Sequence, residues 1–240
     1  MEERKGEEKE FSIFNETNVK DLEKINQEMT EFDLKREEVI KQSRDILKNS
    51  KKAIFASHRK DYQGAQKLLE EAEKKAKHLL ETIIQGDSHL RGGGSFSGAL
   101  EEFAEAKIFL HYLQSSSLLP SSSFHFLEST EYLGGVIDFT GEVTRTCVAE
   151  ATNRNIFKVK EIKQLLEDIL LSLTNFDFRN GPLRKKFDSV KWNLNKVEGM
   201  LYDLSLSSNF TPNKHFNTKS GLHEQQQNKQ NPEEEHLQTN

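Results

Sequence analysis

The sequence predicts an all-α fold, an antiparallel array of about six to seven helices of which the first is very long. Three observations carry that reading. Apolar residues recur at spacings of three and four almost everywhere between residues 16 and 206. Four prolines in 240 residues leave long stretches unbroken, and no segment has the alternation and turn chemistry of a β-hairpin. Charged residues make up 30% against 34% hydrophobic, with a mean hydropathy of −0.75; that balance suits long amphipathic helices with polar flanks better than a compact α/β enzyme.

Residues 1–15 are polar and acidic and are predicted to be disordered. Leu22, Ile25, Met29, Phe32, Val39, Ile40, Ile46, Leu47, Ile54 and Phe55 then recur at helical spacing with no glycine or proline between them, which gives one long first helix. Leu68, Leu69, Ala72, Ala76, Leu79, Leu80 and Ile83 give a second, stopped at Gln85-Gly86. Residues 91–95 read as a flexible glycine link, followed by a third helix over about 96–118 that Pro120 and its serines break. Ser129 or Thr130 starts a fourth helix running to Thr152, residues 159–173 form a fifth, and Pro182 suits the first turn of a sixth that reaches Leu206. Residues 207–240, with glutamines at 225–227 and glutamates at 233–235, read as a disordered polar tail. One helical domain over 16–206 remains. Its first and third helices carry more apolar surface than one flank covers, which predicts assembly through helix faces.

Composition excludes several classes. A single cysteine, Cys147, rules out an internal disulfide framework; it lies on the apolar stripe of Leu133, Val136 and Val143 and reads as core. No apolar run approaches the roughly 20 residues of a membrane span, so no membrane contact is expected and the reading is a soluble intracellular protein. A net charge of −5 argues against general polyanion binding, although a local basic face is compatible with it. There is no phosphate loop, dinucleotide fingerprint or zinc-protease motif, and His58, His78, His89, His111 and His125 never pair at helical spacing.

Two acidic pairs are the candidates for chemistry. Glu102 and Glu105 are three apart at the end of an apolar stripe, whereas Glu101 reads as ordinary surface. Asp138 and Glu142 are four apart on a face that holds Gly135 and Ala149, small enough for another helix to approach. Oxygen-only ligands select Mg²⁺ or Mn²⁺, which could activate water against a phosphodiester. The competing reading is coincidence, since 39 Asp and Glu create many such pairs. In the sixth helix Phe187, Val190, Leu194, Val197 and Leu201 form a core stripe, and Arg184, Lys185, Lys186, Lys191 and Lys196 lie off it with Trp192. That is either a face for a single-stranded backbone with a stacked base, or a solvated face with an aromatic for a partner subunit.

The run Glu131-Tyr132-Leu133-Gly134-Gly135-Val136-Ile137-Asp138-Phe139-Thr140-Gly141-Glu142, followed by Arg145 and Cys147, closely resembles the signature helix of the translin-associated factor X (Trax) branch of the translin superfamily. Leu183-Arg184-Lys185-Lys186-Phe187-Asp188, Lys196-Val197-Glu198 and Tyr202-Asp203-Leu204 resemble the superfamily's C-terminal helix, and Ser43-Arg44-Asp45-Ile46 with Lys52-Ala53-Ile54-Phe55 its first helix. The resemblance implies a translin-like α-α superhelix, an octamer-like closed shell formed with translin or with itself, and binding of single-stranded RNA or DNA. It implies a Mg²⁺-dependent endoribonuclease, cutting the passenger strand of small RNAs or transfer RNA fragments in cytoplasm and nucleus. Catalysis would fall on Glu102, Glu105, Asp138 and Glu142, with Glu105, Asp138 and Glu142 as metal ligands and Glu102 a ligand or the base positioning water. RNA would meet Arg184, Lys185, Lys191 and Lys196. The alternatives are a non-catalytic scaffold subunit that binds nucleic acid beside translin, and a coiled-coil adaptor. The basic, histidine-rich stretch that translin carries before its third helix is here Arg91 followed by glycines and serines.

Overall fold

The computed structural model describes residues 14–179 and 181–209; the tail beyond 209 and the first 13 residues, both read as disordered, lie outside the described residues. Seven α-helices and no strand are present among the described residues. α1 spans Glu16–His58, 43 residues and so about 65 Å at 1.5 Å per residue. Asn15 and Asn18 open it by exchanging side-chain and backbone hydrogen bonds of 3.1 and 3.0 Å. It ends without glycine: the Lys60 amide donates to the Ser57 carbonyl and that of Asp61 to Ala56, with Lys60 left-handed at φ 64°.

α2 begins at Tyr62, six residues before the apolar pattern, because the Asp61 carboxylate accepts the Gly64 amide and makes an N-cap that periodicity does not register. It runs to Leu79, continues as a π-helical turn over Leu80–Ile84 and stops at left-handed Gln85 and Gly86. The expected glycine link is more ordered than the sequence suggests. The Asp87 carboxylate caps α3, Ser88–Arg91, by accepting from His89 and Leu90, and α4 starts within the glycines, Gly94–Ser115. A 3-10 turn at Ser121–Ser123 precedes α5, Ser129–Thr152, then α6, Ile156–Thr174, and α7, Pro182–Asn209. α7 thus passes the expected boundary at 206 by three residues.

α1, α2 and α4 pack as one group and α5, α6 and α7 as another, and α4 against α5 joins them. Both apolar stripes of α4 are enclosed: Phe96, Phe103 and Phe109 are fully buried and Leu110 and Tyr112 nearly so. Its two apolar stripes therefore find their neighbours inside one chain, contrary to the expectation that a second subunit covers one of them. Exposed apolar surface lies instead on the first half of α1, where Val19, Leu22, Ile25 and Met29 are exposed, and on α6 and α7, where Phe157, Leu171 and Trp192 are.

The α4–α5 seam depends on Gly135. A Cβ there would stand 2.5 Å from the Ala104 Cβ, 2.9 Å from the Glu105 nitrogen and 3.0 Å from the Glu101 carbonyl, so the two backbones are in contact and nothing at the position can yield. Gly135→Ala is expected to destabilise the fold by about 1–3 kcal/mol through overpacking. Gly199→Ala, in α7 with nothing within 4 Å of the new methyl, should instead stabilise by about 0.5–1 kcal/mol. Denaturant unfolding of the two variants checks the contrast, and equal midpoints would contradict it.

Candidate functional site

The contact at Gly135 places the carboxylates of two helices opposite one another. Glu102 and Glu105 project from the middle of α4, and Asp138 and Glu142 from the α5 turns that follow Gly135. The four acids that the sequence singled out do converge: Glu105 feels repulsion from Glu102, Asp138 and Glu142, and Glu102 from Asp138 and Glu142. Glu105 is the innermost, only 8% exposed. Burial above all, then those three neighbours, pushes its carboxyl up to about 8. Burial likewise raises Glu102, against the attraction of Lys51 at 4.0 Å.

The counter-charges come from two other helices. Lys186 of α7 donates to Asp138 at 2.5 Å and to Glu101 at 2.6 Å. Burial alone would lower its pKa, but those two bonds outweigh it and hold the ammonium above the ordinary lysine range. His58, in the last turn of α1, hydrogen-bonds Glu142 and lies against the Phe109 ring, with centroids 4.6 Å apart. Arg145 stands 3.8 Å from the same Glu142 oxygen.

Two sequence expectations are corrected here. Lys186 does not belong to the solvated basic face of the last helix; it turns inward to the acids. Glu101 is not ordinary surface, since its carboxylate shares Lys186 with Asp138 and its stem fills the space beside Gly134. Both were findable. Glu101 is four residues from Glu105, a same-face spacing as good as the three that picked out Glu102. Lys51 and His58, also missed, are seven apart and so share a face of α1.

The outer basic face is only partly assembled. Lys185, Trp192 and Lys196 are exposed along one side of α7, and Trp192 retains 74% of its surface. Lys191 lies over the Phe187 ring at 5.5 Å and Arg184 pairs with Asp188 at 2.9 Å. Arg91 is committed internally: it donates to Glu128 at 2.5 Å, to the Phe126 carbonyl at 3.2 Å and to buried Glu131 at 2.9 Å. Its Nε and Nη2 donors are thus taken up inside the chain. Cys147 is fully buried, and burial raises its thiol to about 11, so it is core rather than nucleophile.

Among the described residues no three His, Cys, Asp or Glu side chains stand together closely enough to hold a metal ion as arranged. The donor chemistry nevertheless fits a hard divalent cation. Every candidate ligand is a carboxylate, and Glu102 and Glu105 remain raised after Lys51 and Lys186 have contributed their charge. No helix among the described residues is long and apolar enough to cross a membrane.

The family description "Translin family" matches residues 34–208. Translin-associated protein X of Mus musculus is 26% identical over 238 residues, covering 80% of this chain and 81% of that protein. The translin-associated protein X homolog of Schizosaccharomyces pombe is 30% identical over 188 residues, covering 70% and 80%. Among solved structures, the crystal structure of apo-NeC3PO superposes with a TM-score of 0.68 at 27% identity, covering 76% of this chain and 96% of that one. The match spans the α4–α5 seam and all the acids placed on it, and the chain belongs to the translin family, on its translin-associated protein X branch.

Proposed function

We propose that this chain is the Mg²⁺-dependent endoribonuclease subunit of a translin-type oligomer, hydrolysing single-stranded or nicked RNA such as small-RNA passenger strands or transfer RNA fragments. The observation that carries the reading is the convergence of Glu102, Glu105, Asp138 and Glu142 at one seam, with Glu105 driven to about 8. Acids buried near one another cost free energy that a bound cation would offset. Glu105, Asp138 and Glu142 would hold Mg²⁺ or Mn²⁺, which supplies Lewis-acid stabilisation of charge on a phosphodiester. Glu102, half-buried and raised, suits a ligand or the acceptor of a water proton. His58 orients the Glu142 carboxylate, and Lys186 neutralises Asp138 and Glu101 until another cation does so. RNA would approach along Arg184, Lys185, Lys191 and Lys196, with Trp192 offering a stacking surface. The exposed apolar stripe of α1 suits packing against translin or a second copy in a closed shell.

One observation favours a second reading. Lys186 already joins Asp138 to Glu101, so the cluster has the form of a structural ion-pair network, as a non-catalytic nucleic-acid-binding scaffold subunit would carry. Cleavage of a labelled single-stranded RNA in Mg²⁺, Mn²⁺ or EDTA separates the two. Wild type should cut only with metal, and Glu105→Gln and Asp138→Asn, purified as the same oligomer, should lose at least about a hundredfold in rate, roughly 2.7 kcal/mol of barrier. Variants that keep the wild-type rate exclude these acids, and absence of cleavage with a translin partner present favours the scaffold.

The metal-free protein should also carry a pH signature. Between the ordinary carboxyl value of 4.5 and about 8, folded Glu105 holds a proton that the unfolded chain has released. Stability therefore falls as pH rises through that window, and Glu105→Gln should flatten the slope. Melting temperatures across the window in EDTA test this, and parallel curves for wild type and variant would refute it.

If RNA follows the outer face of α7, neutralising Lys185, Lys191 and Lys196 together should weaken binding and reduce the salt dependence by about 2–3 in slope. Metal affinity should not change. An unaltered slope would return these lysines to the solvated surface.

A further inference from the structure

A cleft of about 560 Å³ opens where the end of α1 meets α4 and α5, beside the acids but outside their cluster. His58 and Arg145, which both reach Glu142, form its inner edge, so the cleft is continuous with the carboxylates. Two residues of its wall, Ser57 and Tyr112, carry buried hydroxyls with no hydrogen-bond partner among the described residues. A hydroxyl cut off from water and left unpaired costs about 1–3 kcal/mol, so an occupant that pairs with it gains at no cost of dehydrating it. Lys60 adds a cation with no carboxylate within 4.0 Å among the described residues, although four of its fellow lysines on α1 and α2 have found one. Lys60 also occupies a left-handed position where glycine is the ordinary choice. Lys158 lies on the same wall, over the Tyr112 ring at 5.3 Å, and is partly satisfied by Glu161 at 2.7 Å. Glu150 is the one acid on the wall, and it accepts from the Asn155 amide at 2.7 Å.

We infer that this cleft is a phosphodiester subsite, in which Lys60 and Arg145 flank a backbone phosphate of single-stranded RNA and the Tyr112 and Ser57 hydroxyls donate to its oxygens. The inference rests on the endoribonuclease reading for the identity of the strand, and it adds a second contact region, next to Glu142, that does not include Lys186. The chemistry selects an oxygen-rich anion. Hydroxyl and ammonium donors outnumber acceptors on the wall, and burial keeps the Tyr112 phenol protonated far above neutral pH, where it only gains from an acceptor. The volume falls in the roughly 300–1,000 Å³ range of ligand sites.

The test is anisotropy of a labelled single-stranded oligoribonucleotide against the assembled protein in EDTA, over a series of salt concentrations. Tyr112→Phe should weaken binding about tenfold while leaving the melting temperature unchanged or higher, because the hydroxyl it removes has no partner in the free protein. Lys60→Ala should lower the salt slope by about 1, and Lys60→Arg should restore it. Both substitutions leaving affinity and slope at wild-type values would overturn the inference, as would a wild type that binds none of this RNA. Cleavage in Mg²⁺ keeps the two readings apart. Binding without cleavage, with weakened cleft variants, upholds the subsite and removes the nuclease; cleavage with cleft variants that bind like wild type does the reverse.

Discussion

Contact between the α4 and α5 backbones at Gly135 sets the distance on which everything at the seam depends. Helix axes separated by ordinary side chains lie about 8–10 Å apart, and acids on facing surfaces can then turn away into water. Here the Ala104 methyl, the Glu105 amide and the Glu101 carbonyl leave no room even for a Cβ. Glu105 consequently has nowhere to go, and it is the buried member of the four. The glycine that brings the helices together is three residues from Asp138 and seven from Glu142, so the same face of α5 carries both the contact and the charge.

That arrangement is electrostatically expensive, and the remainder of the fold is organised around the expense. Each of the other groups of helices sends one or more cationic or proton-bearing side chains to the seam: Lys51 and His58 from α1, Lys186 from α7. They do not neutralise it fully, because Glu102 and Glu105 stay raised with these partners in place. A purely structural network gains by matching its charges, whereas a site that must exchange a cation gains by leaving some acid unmatched. Lys186 is suited to such an exchange. It is a single ammonium on a flexible stem, one-third exposed.

The six longer helices are legible because a period of 3.6 survives in each of them, whereas the four residues of α3 are too few to show one; the acids stand out by spacings of three and four, and the family resemblance separates them from chance pairs. What periodicity does not encode is where helices stop and which way a long side chain turns. α1 ends at His58 with no glycine or proline, through two backbone hydrogen bonds and a left-handed Lys60, and the start of α2 is set by the cap at Asp61 rather than by an apolar residue. Lys186 has the same spacing signature as its solvated neighbours; only the position of α5 behind α7 decides that it points inward. His58 escaped notice because a search for histidine pairs looks along one helix, whereas its partner Glu142 is 84 residues away.

α1 joins these observations into one functional argument. Its second half is packed against α2 and α4 and delivers Lys51, Ser57, His58 and, just past its end, Lys60 to the seam and the adjoining cleft. Its first half extends from that body with Leu22, Ile25 and Met29 about half exposed or more, a stripe that no other element among the described residues covers. A rigid helix cannot have one end clamped by an oligomeric neighbour and the other end indifferent to it. Whatever covers the exposed stripe fixes the axis on which His58 and Lys60 are mounted, two residues apart at the edge of Glu142. Assembly and the geometry of the site are therefore mechanically linked through one continuous helix with no proline or glycine along its length to absorb a bend.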